Sequence, residues 1–335
     1  MRCCKLAGPV APGHIAEIMW LNSLYFVLGL VGLLTGAEWL VRGSASIASA
    51  LGVRPLVIGL TIVAIGTSSP ELAVSLVAAL GGRGDVAIGN VVGSNIANLG
   101  LILGLTAIIQ PLVMQRTLIL REIPVMIGAA LIAAIMAFDG FLSRTDGIVL
   151  LGCCVAYLGF MMRTGEKLPP IPLDQAVPGA SSRPPLLKHA ARAIAGLLIL
   201  VVAGRLLVTA SVAAATAMGV SDLVIGMTVV AIGTSLPELA TSVLAAWRGH
   251  GDLAVGNIIG SNILNIFAIL GTTAMVHPLE ARPQIFNLEV PMMVGFSVAL
   301  LPLASRGMKV VRWEGALLLT AYVTFLVILV SRGTV

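Results

Sequence analysis

Long apolar runs dominate the chain, and short polar breaks punctuate them. A membrane-spanning helix needs about 20 mostly apolar residues. Runs of roughly that length predict ten transmembrane helices: 21–41, 53–80, 85–109, 117–138, 146–162, 189–210, 220–246, 252–275, 284–304 and 312–331. Gly81-Gly82-Arg83-Gly84 and Ser305-Arg306-Gly307 are typical of the breaks. The longest break, 163–188, is rich in Pro, Arg and Lys and reads as a cytoplasmic linker. It separates a first five-helix unit, 21–162, from a second, 189–335, and residues 1–20 form an N-terminal tail. Alternating ten-residue segments are absent, which argues against a membrane β-barrel.

Parts of the two units are copies of one another. Gly52–Gly104 and Gly219–Gly271 align without a gap at an offset of 167, with 34 of 53 positions identical. Each copy holds a Gly-Thr-Ser-x-Pro-Glu core, at Gly66–Glu71 and at Gly233–Glu238. Five spans per unit is an odd number, so the second copy enters the membrane from the opposite side. The duplication therefore predicts an inverted pair, related by an axis in the membrane plane, with two near-equivalent states open to opposite sides.

Lys and Arg set the orientation. With the N-terminus outside, thirteen of the twenty fall in inner loops: Arg42, Arg54, Arg116, Arg121, Arg163, Lys167, Arg183, Lys188, Arg192, Arg248, Arg306, Lys309 and Arg312. Both termini are expected outside a plasma (inner) membrane. Composition agrees with the class: 58% hydrophobic, 10% charged, mean hydropathy +1.04. A soluble domain carries roughly 25% charged residues. The net charge of +5 suggests nucleic-acid binding only until the basic residues are located. They are spread over short loops without a basic stripe, so topology explains them. Cys3-Cys4 and Cys153-Cys154 lack metal-ligand spacing, and the tail lacks the long apolar core of a signal peptide.

The duplicated core carries the chemistry. Pro70 and Pro237 have no backbone N–H and clash with the carbonyl four residues back, at Gly66 and Gly233. Freed carbonyls in a membrane persist only where they are buried or line a polar cavity, and a cation would satisfy them. Thr67, Ser68 and Glu71 lie within one helical turn, as do Thr234, Ser235 and Glu238. The following span adds Ser94 and Asn98 in one copy, Ser261 and Asn265 in the other. These are hard oxygen ligands without sulfur or imidazole, suited to Ca²⁺ or Na⁺ rather than Zn²⁺ or Cu⁺. Two carboxylates match one divalent cation, or two or more monovalent ones sharing the same oxygens. Gly89-x-x-x-Gly93 and Gly256-x-x-x-Gly260 predict close helix approach.

Ala64–Glu71 with Gly93–Asn98, and the second copy through Gly260–Asn265, resemble the two α-repeats of the sodium/calcium exchangers, within the cation/calcium antiporter superfamily. The resemblance covers both halves. It implies an all-α fold of ten helices in two inverted five-helix repeats, discontinuous at the ion site. It also implies four clustered cation sites at the bilayer midplane and two sliding helices that gate access. The implied ligands are the Ala64 carbonyl, Thr67, Ser68, Glu71, Ser94 and Asn98. The second repeat contributes the Ala231 carbonyl, Thr234, Ser235, Glu238, Ser261 and Asn265. Some relatives have Asp where this chain has Asn265.

Plainer roles stand beside these. Glu71 and Glu238 would be structural if paired with buried cations, yet no cation occupies matching positions in either repeat. The prolines would serve as simple kinks, and Asn98 and Asn265 as helix bridges. Asn90, Asn95, Asn257 and Asn262 are assigned to packing and backbone bonds. Asp85 and Asp252 are read as N-caps, and Glu38 and Arg205 as snorkelling or paired. The four histidines fall at tails or loop edges, and the methionines form no cluster. The expected function is Ca²⁺ extrusion against Na⁺ entry, with H⁺ or K⁺ as alternative coupling ions. No cofactor, nucleic acid or protein partner is implied. A channel would need a continuous selectivity pathway, and an intramembrane enzyme would need a nucleophile–base set or metal-ligand histidines.

Overall fold

A computed structural model describes residues 12–164, 186–217 and 231–333. The first unit opens with α1 (Pro12–Leu51), followed by a bent pair, α2 (Pro55–Thr67) and α3 (Ser69–Leu80). It continues with α4 (Gly84–Ile109), α5 (Leu118–Met136) and α6 (Arg144–Thr164). The second comprises α7 (Leu186–Ala217), α8 (Ala231–Thr234), α9 (Leu236–Trp247), α10 (Gly251–Val276), α11 (Glu289–Ser305) and α12 (Arg312–Gly333). Among the described residues eight helices are long and apolar enough to cross a membrane, and α2–α3 makes a ninth. The opening part of predicted span 220–246 lies outside the described residues, as does most of the 163–188 linker.

Burial sorts the helices. The most apolar stretch of α10 is 94% buried and that of α4 72%, against 28–44% for the other intact spans. The two asparagine-bearing helices thus form the centre, and the rest are left with lipid-facing surface. The helix α1 runs past the predicted end at residue 41 because Ser44, Ile47 and Ala48 still face the interior.

Inversion is visible in the packing of α1 on α7. Added Cβ atoms would collide pairwise: Gly43 with Ala193, Gly36 with Gly196 and Leu200, Gly32 with Ala203, and Gly29 with Leu207. Numbers fall along one helix as they rise along the other, so the helices are antiparallel. As the opening helices of equivalent units, they show that the units have opposite topology. The same two-fold relates the ends. The strand β1 (Leu112–Val113) pairs with β4 (Lys309–Val310), and β2 (Phe141–Leu142) pairs with β3 (Leu279–Glu280), both antiparallel. A side-chain network marks each end. Arg282 meets Asp85 at 2.7 Å near β3, while near β1 Arg54 bonds Gln115 (3.0 Å) and Gln115 bonds Asp252 (2.6 Å).

Candidate functional site

Both duplicated cores interrupt their helices. Ser68 separates α2 from α3 at φ −81°, ψ 5°, and Ser235 separates α8 from α9 at φ −89°, ψ 8°. The α2–α3 pair bends by 42°. Proline sits two residues after each serine, where its missing N–H suits the first turn of the new helix. Glu71 and Glu238 follow directly and are almost wholly buried, 0% and 1% exposed.

The two breaks face each other and exchange bonds. Ser68 donates to Glu238 Oε1 at 2.9 Å, and Ser235 donates to Glu71 Oε1 at 3.1 Å. Each carboxylate is therefore held by the serine of the opposite repeat. Thr67 donates to Asn257 Oδ1 across the same gap at 3.1 Å. Because hydroxyls spend their protons on these acceptors, their lone pairs stay free for a cation.

Ten buried side-chain oxygens have no hydrogen-bond partner among the described residues, and six of them form three repeat-related pairs. They are Glu71 and Glu238 Oε2, Ser94 and Ser261 Oγ, and Asn98 and Asn265 Oδ1. All belong to the ligand set expected from sequence. Buried acceptors left unmade cost about 1–3 kcal/mol each, so a cluster of six points to a cationic occupant. Asn265 shows how its oxygen is aimed: its Nδ2 donates to Asn95 Oδ1 at 3.0 Å, which turns Oδ1 away from that bond. Both α4 and α10 widen into a π turn at the asparagine, Asn98–Ile102 and Asn265–Leu270. Such turns accompany functional sites because they re-aim side chains and backbone oxygens. Ala64 is buried, and its carbonyl accepts the Ser68 N–H at 3.0 Å with one lone pair left. Ala231 and Thr234 begin and end α8 at the matching place.

Several plainer assignments are refined. Asp85 and Asp252 are not N-caps: those positions are Arg83 and His250, and the aspartates lie in the first helical turn, tied to Arg282 and Gln115. Glu38 is paired, with Arg42 and with Arg248 at 3.0 Å. Asn95 and Asn262 bond backbone carbonyls as expected. Gly256 and Gly260 lie against Leu56 and Leu60, so the predicted close approach holds there. The symmetry-related partners of Gly89 and Gly93, residues 223–227, lie outside the described residues.

Sequence reasoning missed Ser75 and Ser242. Asn90 Nδ2 bonds Ser75 at 3.0 Å and the Glu71 carbonyl at 3.1 Å, while Asn257 Nδ2 bonds Ser242 at 3.0 Å. These contacts clamp the glutamate-bearing helix to the asparagine-bearing helix in each repeat. The signal was present: a serine four residues after each glutamate, identical in both copies.

The family model "Sodium/calcium exchanger protein" matches residues 21–163 and 188–331. The chain is 39% identical over 318 residues to a putative antiporter CaxA of Alkalimonas amylolytica, covering 93% of this chain and 100% of that one. It is 36% identical over 343 residues to the sodium/calcium exchanger MaX1 of Methanosarcina acetivorans, covering 92% and 98%. Its fold matches the sodium-calcium exchanger NCX_Mj soaked with zero Na⁺ and Ca²⁺, with TM-score 0.80, 36% identity and coverage of 91% and 97%. Two inverted repeats, reciprocal serine–glutamate bonds and these likenesses agree: the chain belongs to the sodium/calcium exchanger family, multi-pass membrane antiporters and not enzymes.

Proposed function

We propose that this protein exchanges Ca²⁺ for Na⁺ across the plasma membrane by alternating access. The three pairs of partnerless buried oxygens around Glu71 and Glu238 carry the reading. The ligands are the Ala64 carbonyl, Thr67, Ser68, Glu71, Ser94 and Asn98, with the Ala231 carbonyl, Thr234, Ser235, Glu238, Ser261 and Asn265. All are hard oxygen donors, and no group of three or more His, Cys, Asp or Glu that could hold another metal occurs among the described residues.

Competition supplies the coupling. Ca²⁺ and Na⁺ need the same two carboxylates, so one set of ions excludes the other. An empty site leaves two adjacent carboxylates buried without a counter-charge, a costly arrangement at this depth. Exchange between inward-open and outward-open forms is therefore restricted to loaded states. The N-out, C-out orientation places the Arg54–Gln115–Asp252 end in the cytoplasm and the Asp85–Arg282 end outside.

The test is ⁴⁵Ca²⁺ uptake into proteoliposomes under imposed Na⁺, K⁺ or H⁺ gradients. An outward Na⁺ gradient alone should drive uptake. Uptake driven only by H⁺ or K⁺ would replace Na⁺ as the coupling ion, and uptake indifferent to all three gradients would sink the antiport reading.

A further inference from the structure

Thr241 lies on α9 three residues beyond Glu238, a spacing that puts both side chains on one helix face. This face is closed to solvent: Glu238 is 1% exposed, and Thr241, Ser242 and Ala245 are 0%. Glu238 is bonded to Ser68, and Ser242 receives Asn257. Thr241 differs from both. Its Oγ1 is buried with no hydrogen-bond partner among the described residues.

A helical threonine has an acceptor at hand in the carbonyl four residues back. Thr61, Thr106, Thr273 and Thr320 all use it, at 2.6 to 2.8 Å. Thr241 does not, so its hydroxyl is turned elsewhere. Packing does not explain the hydroxyl either. The repeat equivalent, 167 positions earlier, is Val74, which has nearly the same shape without the oxygen. The helix α9 packs against the Asn98–Ile102 turn of α4, where Asn98 Oδ1 is also partnerless.

We propose that Thr241 is a further ion-coordinating residue, resting on the antiporter reading above. Its hydroxyl adds a neutral oxygen to the half of the site built on Glu238 and Asn98. The half built on Glu71 and Asn265 has Val74 in its place, so the two halves are unequal. Ca²⁺ takes about six to eight oxygens. A neutral hydroxyl raises the ligand count without changing the site's charge, which tunes affinity without adding a charge that another ion must balance.

The test compares wild type, Thr241→Val and Thr241→Ser in the full chain. Thermal unfolding in detergent is measured with and without CaCl₂ or NaCl, and the Ca²⁺ dependence of flux is measured in proteoliposomes. Thr241→Val removes a hydroxyl that no group among the described residues uses, so without ions it should unfold no earlier than wild type. Its half-saturating Ca²⁺ concentration should rise about tenfold, and the Ca²⁺-induced shift should shrink. Thr241→Ser keeps the oxygen and should restore both. Wild-type Ca²⁺ dependence in Thr241→Val would overturn the proposal, as would an equal loss of stability with and without ions. Should valine not be tolerated, Thr241→Ala compared with Thr241→Ser gives the same contrast. A wild type that no cation stabilises and that carries no Ca²⁺ flux would overturn the antiporter reading as well.

Discussion

Gly260→Ala tests how closely the site depends on the approach of α2 to α10. A Cβ at Gly260 would stand 2.7 Å from Leu60 Cα and O and 2.9 Å from Leu60 C. All three are backbone atoms, so no rotamer change relieves the clash. Carbon contacts settle at about 3.5–4.0 Å, so the helices must part locally by about 1 Å. Overpacking of this kind costs about 1–3 kcal/mol, and the better helix propensity of Ala returns about 1 kcal/mol. The net loss, about 0–2 kcal/mol, leaves a folded protein whose melting temperature falls by only a few degrees. The site is less forgiving. Thr67→Asn257 and Ser68→Glu238 bonds, 3.1 and 2.9 Å, span the gap between the repeats. Ca²⁺–oxygen distances occupy only about 2.3–2.6 Å, so a displacement of about 1 Å removes ligands outright. Gly260→Ala should therefore be extractable yet lose at least about tenfold in Ca²⁺ flux, the effect of about 1.4 kcal/mol. Gly295→Ala is the control, since a Cβ there meets nothing within 4 Å. Wild-type flux in Gly260→Ala, or equal damage from Gly295→Ala, would refute the reasoning.

Other outcomes follow from the same geometry. Glu71→Gln or Glu238→Gln should abolish Ca²⁺ flux while leaving the protein folded, because the glutamine oxygen still accepts from Ser235 or Ser68; near wild-type flux in either would remove that residue from the ligand set. Asn265→Asp replaces a donor to Asn95 Oδ1 with a carboxylate, so Asn95 must turn its amide. The variant should alter monovalent-ion or pH dependence more than Ca²⁺ selectivity, and superimposable Na⁺ and pH profiles would place Asn265 outside the ion site. Cysteines at Arg83 and Arg282 should react with an impermeant reagent from outside, and cysteines at Arg116 and Arg306 should not; the reverse pattern would invert the orientation.

The candidate site was legible because the sequence states it twice. Thr67, Ser68 and Glu71 recur at a constant offset, as do Ser94 and Asn98, and chance does not preserve polar residues within apolar runs that way. Inversion followed from parity, since an odd number of spans turns the second copy over, and the antiparallel α1–α7 pair shows it directly. Lateral contacts were less legible. The Asp85–Arg282 pair joins residues far apart in the chain, and an aspartate near a helix start reads locally as a cap. The π turns were also hidden, because widening a turn depends on neighbours rather than on local propensity. Cross-repeat bonds required knowing that the two breaks face each other. Thr241 was passed over for a related reason: a single threonine in an apolar helix is ordinary until its hydroxyl is seen to lack a partner.

Reciprocal bonding ties the two breaks together, as the proposed alternating access requires of the duplication. Ser68 positions Glu238, and Ser235 positions Glu71, so neither break can move without disturbing the carboxylate of the other repeat. For two identical inverted units, any arrangement open to one side has a counterpart of equal energy open to the other. This chain departs from identity away from its candidate ion site. Asp85 meets the cation of Arg282, whereas Asp252 meets the neutral amide of Gln115, which Arg54 then bonds. Glu38 holds Arg248 at 3.0 Å, whereas the repeat equivalent of Glu38 is Arg205, a charge of opposite sign. Arg282 and Arg248 are substantially exposed, so each such pair contributes only about 0–1 kcal/mol. A total of about 0–2 kcal/mol biases the two states by no more than about thirtyfold and locks neither. Burying two carboxylates without a cation costs far more than this bias. In the proposed exchange, the occupant of the site, and not the ion pairs around it, therefore decides when the repeats exchange conformations.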